Sequence, residues 1–434
     1  MKVFWCELAF VEGTIERGVR VTCGDDGAIT KVDVGANQDG APVLTGVVLP
    51  GLANTHSHAF HRALRGRTNA RGSFWTWREE MYRIANLLDP ETYLELATAT
   101  YAEMVMAGFT AVGEFHYLHH QPDGTPYSDP NHMGEVLREA ATRAGIRLTL
   151  LDTCYLSGGI GQPLRPEQLR FGDENADRWA ERMSALSADD NTKIGAALHS
   201  VRAVPEEAMT TVAEAAKSRP LHVHVSEQVQ ENGECLAIYG VTPTQLLATH
   251  GVMGPRTTAV HATHVEPADI TTLASSSAGV CLCPTTERDL GDGIDSGFAL
   301  AQAGVPISLG TDQHVAIDAF EEMRGIEMNQ RLNEQARGLF PPDQLIRISS
   351  EQGHRALGWH NAGRIAVGAP CDLVAVNLDS VRTSGSEPEQ VVMAATSADV
   401  TTVVVGGRVM VSEGKHQVTN VPRILREAIT PLWE

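Results

Sequence analysis

The chain has 434 residues, 42% hydrophobic and 20% charged, the balance of an ordinary globular protein too long for one small core. Its 54 acidic residues outnumber 34 basic ones, for a net charge of −20, which argues against a nucleic-acid partner because phosphate binding needs a basic footprint. No apolar run is long enough for a membrane span, no N-terminal secretory signal is expected, and seven scattered cysteines fit free thiols in a reducing cytoplasm.

From the N-terminus, residues 3–10, 19–22 and 29–34 are apolar runs separated by Glu12-Gly13 and Gly24-Asp25-Asp26-Gly27, the grammar of hairpins. The pattern then changes. Apolar runs at 47–49, 111–115, 148–153, 194–198, 221–225, 258–260, 280–282 and 307–309 alternate with amphipathic stretches such as 90–107, 133–144 and 205–217. That alternation predicts an α/β fold with a parallel sheet, and eight such runs predict a closed (β/α)₈ TIM-like barrel, with a doubly wound open sheet as the alternative. Strand grammar returns at the C-terminal end in 373–376 and 401–405, where Gly406-Gly407 forms a tight turn before 408–411. The chain thus divides into residues 1–46, a barrel over 47–362, and residues 363–434.

In a parallel barrel, chemistry belongs at the C-terminal ends of the strands. Histidines and acids gather there. His56 and His58 follow the first run; Glu114, His116 and Tyr117 close the second; His199 follows the fourth; His224 and Glu227 end the fifth; His261 ends the sixth; Asp312 follows the eighth. In His56-Ser57-His58, two residues apart in an extended segment, both imidazoles face one side and can reach one ion. In the second such pair, His224 lies nearer the strand end, so it is the ligand candidate; His222, one layer down, reads as a packed, hydrogen-bonded residue. Asp312 completes three imidazoles and leaves a coordination position open, the catalytic rather than the structural pattern; alone, it would read as a helix-capping aspartate. Glu227 is placed to shuttle protons, and His261 to polarise the reacting group or hold the metal hydroxide, with a fifth metal ligand or a packed core histidine as the alternatives.

These motifs resemble the amidohydrolase superfamily, whose pattern is HxH after the first barrel strand, His after the fifth and sixth, and Asp after the eighth. The resemblance implies one metal ion per chain, zinc or another divalent ion such as iron, held by His56, His58, His224 and Asp312. No lysine lies between Lys31 and Lys193. The two-metal form of the superfamily, with its carbamylated lysine, is thereby excluded, and His224 with Glu227 resembles the His-x-x-Glu of the single-metal deaminases. The superfamily also implies a small β-sandwich built from both chain ends, to which the return segment at 363–374 is similar. The segments at 73–79, 114–120 and 283–287 are similar to members of the branch acting on linear amidines.

That narrower resemblance implies hydrolysis of N-formimidoyl-L-glutamate to N-formyl-L-glutamate and ammonia, with Glu227, His261 and Asp312 catalytic. Arg78 and Arg202 then clamp the two carboxylates, while His61, Tyr117 and His199 add hydrogen bonds. Alone, Arg78 would read as a solvated helix charge. One position departs: the family carries glutamine where this chain has His61, which leaves room for a variant acyl chain. The rival readings are a deaminase of another substrate, such as an aminopurine, and a barrel that serves as a scaffold. A small acidic substrate, a homodimer, and neither nucleic acid nor membrane are the expected partnerships.

Overall fold

The computed structural model describes residues 1–68 and 72–434. Two eight-stranded sheets organise the chain. The first collects both chain ends: β1 (Lys2–Val11), β2 (Thr14–Cys23), β3 (Ile29–Asp33) and β4 (Val43–Pro50). The second is the parallel sheet β5 (Leu52–Ser57), β6 (Phe109–His116), β7 (Arg147–Cys154), β8 (Thr192–Leu198), β9 (Leu221–Val225), β10 (Thr257–His261), β11 (Gly279–Leu282) and β12 (Ile307–Leu309). The chain then returns to the first sheet through β13 (Leu373–Val376), β14 (Val400–Val405), β15 (Arg408–Ser412) and β16 (Lys415–His416). Among the described residues, no helix is long and apolar enough to cross a membrane.

The outer sheet runs β16-β15-β14-β13-β4-β1-β2-β3, so the two chain ends meet where β13 pairs antiparallel with β4. Both of its faces are apolar. Phe4, Cys6, Val19, Val21, Val48, Leu373 and Val404 build one core, while Leu8, Phe10, Val47, Leu49 and Val374 turn toward the barrel. The register shift between Cys6 and Leu8 lets β1 serve both: Phe4 and Cys6 share a face with Ala9 and Val11 because the irregularity inverts the side-chain alternation. The 47–49 run, expected to open the barrel, therefore belongs to this outer sheet. Buried on both sides, it carries the continuous apolar pattern of a barrel strand. The first barrel strand is β5, on the far side of Gly51.

The barrel strands lie in sequence order, β5 to β12. An isolated parallel bridge, Ser57 to Asp312, joins the last strand region back to the first. Asp312 N donates to His56 O at 3.0 Å and His58 N donates to Asp312 O at 3.2 Å. Below that seam, the Asn54 side chain donates to Thr311 Oγ1 at 2.7 Å and accepts from Thr311 N at 2.9 Å. Closure at this level needs Gly310: a Cβ there would lie 2.7 Å from His56 Cβ and 2.8 Å from His56 O.

Candidate active site

The closing seam is also where the ligand candidates converge. His56, His58 and Asp312 sit on it, and β9 brings His224 across the mouth. His224 Nε2 lies 3.1 Å from His56 Nε2; Asp312 Oδ1 lies 3.3 Å from His56 Nε2 and 3.4 Å from His58 Nε2. His58 Nδ1 faces Phe115 O at 3.0 Å and His224 Nδ1 faces His199 O at 2.9 Å. Each of these rings therefore carries its proton on Nδ1 and points an Nε2 lone pair inward.

His56 Nε2 and His224 Nε2 face each other at 3.1 Å, and Asp312 Oδ1 stands within 3.4 Å of both the His56 and the His58 Nε2. Ligand distances of about 2.0–2.2 Å at a tetrahedral ion put neighbouring donor atoms roughly 3.3 Å apart, the spacing found here. His56, His58 and His224 form one group able to hold a metal ion, Asp312 groups with His56 and with His58 beside it, and this buried set of imidazoles and a carboxylate suits a divalent ion. Burial holds the imidazoles neutral, His58 down to about 3 and His224 well below its ordinary value. Burial would raise Asp312, but the neighbouring His56 holds its carboxyl well below the usual carboxylate range. Asp312 and His261 are held in the left-handed region, with φ of 42° and 68°, strain that aims both side chains at the centre.

His261 stands at the edge of this cluster, its Nε2 4.0 Å from Asp312 Oδ2 and 3.8 Å from Glu227 Oε1. Its Nδ1 lies 3.4 Å from Glu287 Oε1. Burial opposes a charge on the ring, yet Glu227, Glu287 and Asp312 together carry its pKa up to about 10. Glu287, which the sequence reading passed over, also accepts from Cys283 N at 2.9 Å, so the carboxylate is fixed before it reaches the imidazole. Glu231 was passed over too. It pairs with Arg202 Nε at 2.7 Å and accepts from Ser226 N at 2.8 Å. Arg202 Nη2 lies 3.3 Å from Glu227 Oε2. Arg202 is thus a buried cation already held by two carboxylates, one of them the expected proton shuttle.

The pocket above the cluster is lined by His58, His61, Arg78, Tyr117, His199, Arg202, Glu227 and His261, so the structure brings every expected substrate contact to one place. The helix Phe74–Leu87 forms one wall. On it Arg78 lies over Trp75 at 4.4 Å, its Nε buried with no hydrogen-bond partner. His61 Nε2 and Tyr117 OH are 3.1 Å apart, and Trp77 meets the His61 ring edge to face. His222 is buried a layer below, 3.3 Å from Ala356 O, as expected of a packing residue. Glu114 and His116 leave the cluster altogether. Glu114 accepts from Ser57 Oγ and Ala59 N, both at 2.7 Å, bracing the loop that carries His58. His116 groups with His119 and Asp152, whose carboxylate is already taken by Arg182 and Trp179.

A barrel whose strand ends carry this donor set has known counterparts. The model of the amidohydrolase family matches residues 47–410, and the chain belongs to that family. Formimidoylglutamate deiminase of Pseudomonas aeruginosa is 37% identical to it over 96% of each chain. An 8-oxoguanine deaminase of the same species is 30% identical, over 85% of this chain and 83% of its own. Among solved structures, an amidohydrolase from Brucella melitensis superposes with a TM-score of 0.93 at 32% identity, both chains covered in full. Atrazine chlorohydrolase from Arthrobacter aurescens, solved with zinc, shares the fold at a TM-score of 0.87 and 20% identity, again with full coverage of both.

Proposed function

We propose that this protein hydrolyses N-formimidoyl-L-glutamate to N-formyl-L-glutamate and ammonia, a step of histidine degradation, with one zinc ion held by His56, His58, His224 and Asp312. The observation that carries the reading is the meeting of that donor set with two guanidiniums, Arg78 and Arg202, in one pocket. The 37% identity to a formimidoylglutamate deiminase supports it. When bound, a divalent ion supplies Lewis-acid polarisation and makes water acidic enough to attack near neutral pH.

The residues do the rest. Arg78, with its Nε unpaired, takes a substrate carboxylate. Arg202, anchored by Glu231, takes the other while keeping Glu227 in place. Asp312 accepts the proton of the attacking water, and the protonated His261 steadies charge at the formimidoyl carbon. Oxygen bonds to that carbon, Glu227 takes the remaining proton from the new hydroxyl group and passes it to the terminal nitrogen, and the C–N bond to that nitrogen breaks as the formyl C=O forms. Ammonia leaves and the formyl group stays on the amino acid. In this reading the enzyme works in the cytoplasm as a homodimer.

The test is ammonia release by the zinc-loaded enzyme from N-formimidoyl-L-glutamate, N-formimidoyl-L-aspartate, guanine and adenosine. The glutamate derivative should give the highest kcat/KM. A preference for either purine would overturn the reading, and a preference for the aspartate derivative would reassign the acyl chain beside His61.

A further inference from the structure

A second cavity, of about 660 Å³, opens at the opposite end of the barrel. It lies where β8 to β12 begin, whereas the pocket above lies where the strands end. Its volume falls in the range of small-molecule sites, about 300–1,000 Å³. Its floor is apolar, with Ile194 and Ile307 from near the starts of β8 and β12. Its wall is cationic: Lys193, Arg219, Arg256 and Arg355 stand against one carboxylate, Glu351, while the Arg347 guanidinium turns away toward Gly13.

Charge neutralisation within the protein does not explain this cluster. Arg355 pairs with Glu351 at 3.4 Å. Among the described residues, no carboxylate pairs with Lys193, Arg219 or Arg256. Arg219 Nη1 is buried with no hydrogen-bond partner, and Lys193 Nζ lies 4.8 Å from the centre of the Trp359 ring. Four like charges around a concave surface, Lys193 and Arg219 half-buried, repel one another and focus a positive potential into it. They do so in a chain whose net charge is −20. An anion in the cavity would relieve that repulsion, and guanidinium forks match phosphate oxygens.

We infer that this cavity is a binding site for an organic phosphate of nucleotide size, its phosphates on the arginines and its planar or apolar body on the floor. It is separate from the catalytic pocket, although both touch the same strands. β8, β9 and β10 start at the cavity and end at His199, His224 and His261.

The test is titration calorimetry on the zinc-loaded, full-length protein with uridine diphosphate, pyrophosphate and uridine as probes. Uridine diphosphate should bind, pyrophosphate more weakly, and uridine not measurably. The double variant Arg219→Ala/Arg256→Ala should weaken uridine diphosphate by about tenfold or more and leave ammonia release unchanged. If the half-buried Arg219 proves necessary for folding, Arg256→Glu/Arg355→Glu, at two exposed positions, should give the same loss. Absence of uridine diphosphate binding would overturn the site. So would binding that both variants leave intact, which would place the ligand elsewhere. Pyrophosphate binding as tightly as uridine diphosphate would overturn the assignment of an organic body.

Discussion

Glu227 stands between two positive groups, His261 on one side and Arg202 on the other. A carboxylate there can take a proton from the attacking oxygen and pass it to the leaving nitrogen without touching the ligand cluster. Glu227→Gln should therefore keep one metal per chain by elemental analysis and lose about 10²–10⁴ in kcat. Loss of metal along with activity would move Glu227 from proton transfer to ligation. Glu287 acts one step back, through His261 Nδ1. Glu287→Gln should lower kcat by about 10–100-fold with KM unchanged, because it disturbs the orientation of His261 rather than substrate binding. An equal rise in KM would show that the pocket itself had collapsed. Histidines and acids at strand ends could be found from spacing alone, since the barrel predicts where they must lie. Glu231 and Glu287 could not. Each falls in the first turn of a short helix, where an acid is the ordinary complement to the helix dipole. Only the fold shows that these two turn inward to Arg202 and His261.

At the scale of elements, the joint between β12 and β5 does two things at once. It closes the barrel and sets His56, His58 and Asp312 on one backbone seam. Gly310 is what lets the strands approach so closely. In Gly310→Ala the new methyl would press on the backbone of His56 rather than on a movable side-chain tip. Overpacking of this kind costs typically 1–3 kcal/mol. The variant should melt earlier and bind zinc more weakly than the parent, both measurable by a thermal melt with and without a chelator. Unchanged zinc affinity would mean that ligand placement does not depend on the seam. Seven of the eight expected barrel runs fall on barrel strands, because a strand buried on both faces reads as continuous apolar sequence. The eighth, 47–49, misleads for the same reason: β4 is also covered on both faces, by two different cores. Neither composition nor period separates the two cases; only the pairing of β4 with β1 and β13 does.

At the scale of the whole molecule, the histidines set a limit on acid tolerance. Several are buried far from the ligand cluster. Burial takes His354 down to about 4, against a partial opposing pull from Ser350 O at 2.9 Å, and holds His116 and His119 well below their ordinary value. Unfolded, each titrates near 6.5. Between those values the unfolded chain binds more protons than the folded one, so stability falls as pH drops from about 6.5 toward 4. For His354 alone the full span is worth on the order of 3 kcal/mol. Urea unfolding of the parent and of His354→Gln, both in chelator because metal ligation is itself proton-linked, isolates that share. The parent should lose more stability than the variant between pH 7 and pH 4, by up to that amount, while the two differ least in slope above pH 7. Parallel losses would mean that water reaches His354 in the folded state. The acid sensitivity would then have to come from the buried histidines beside β6 and β7, which pack against Asp152 and Arg182 rather than against the backbone of a helix.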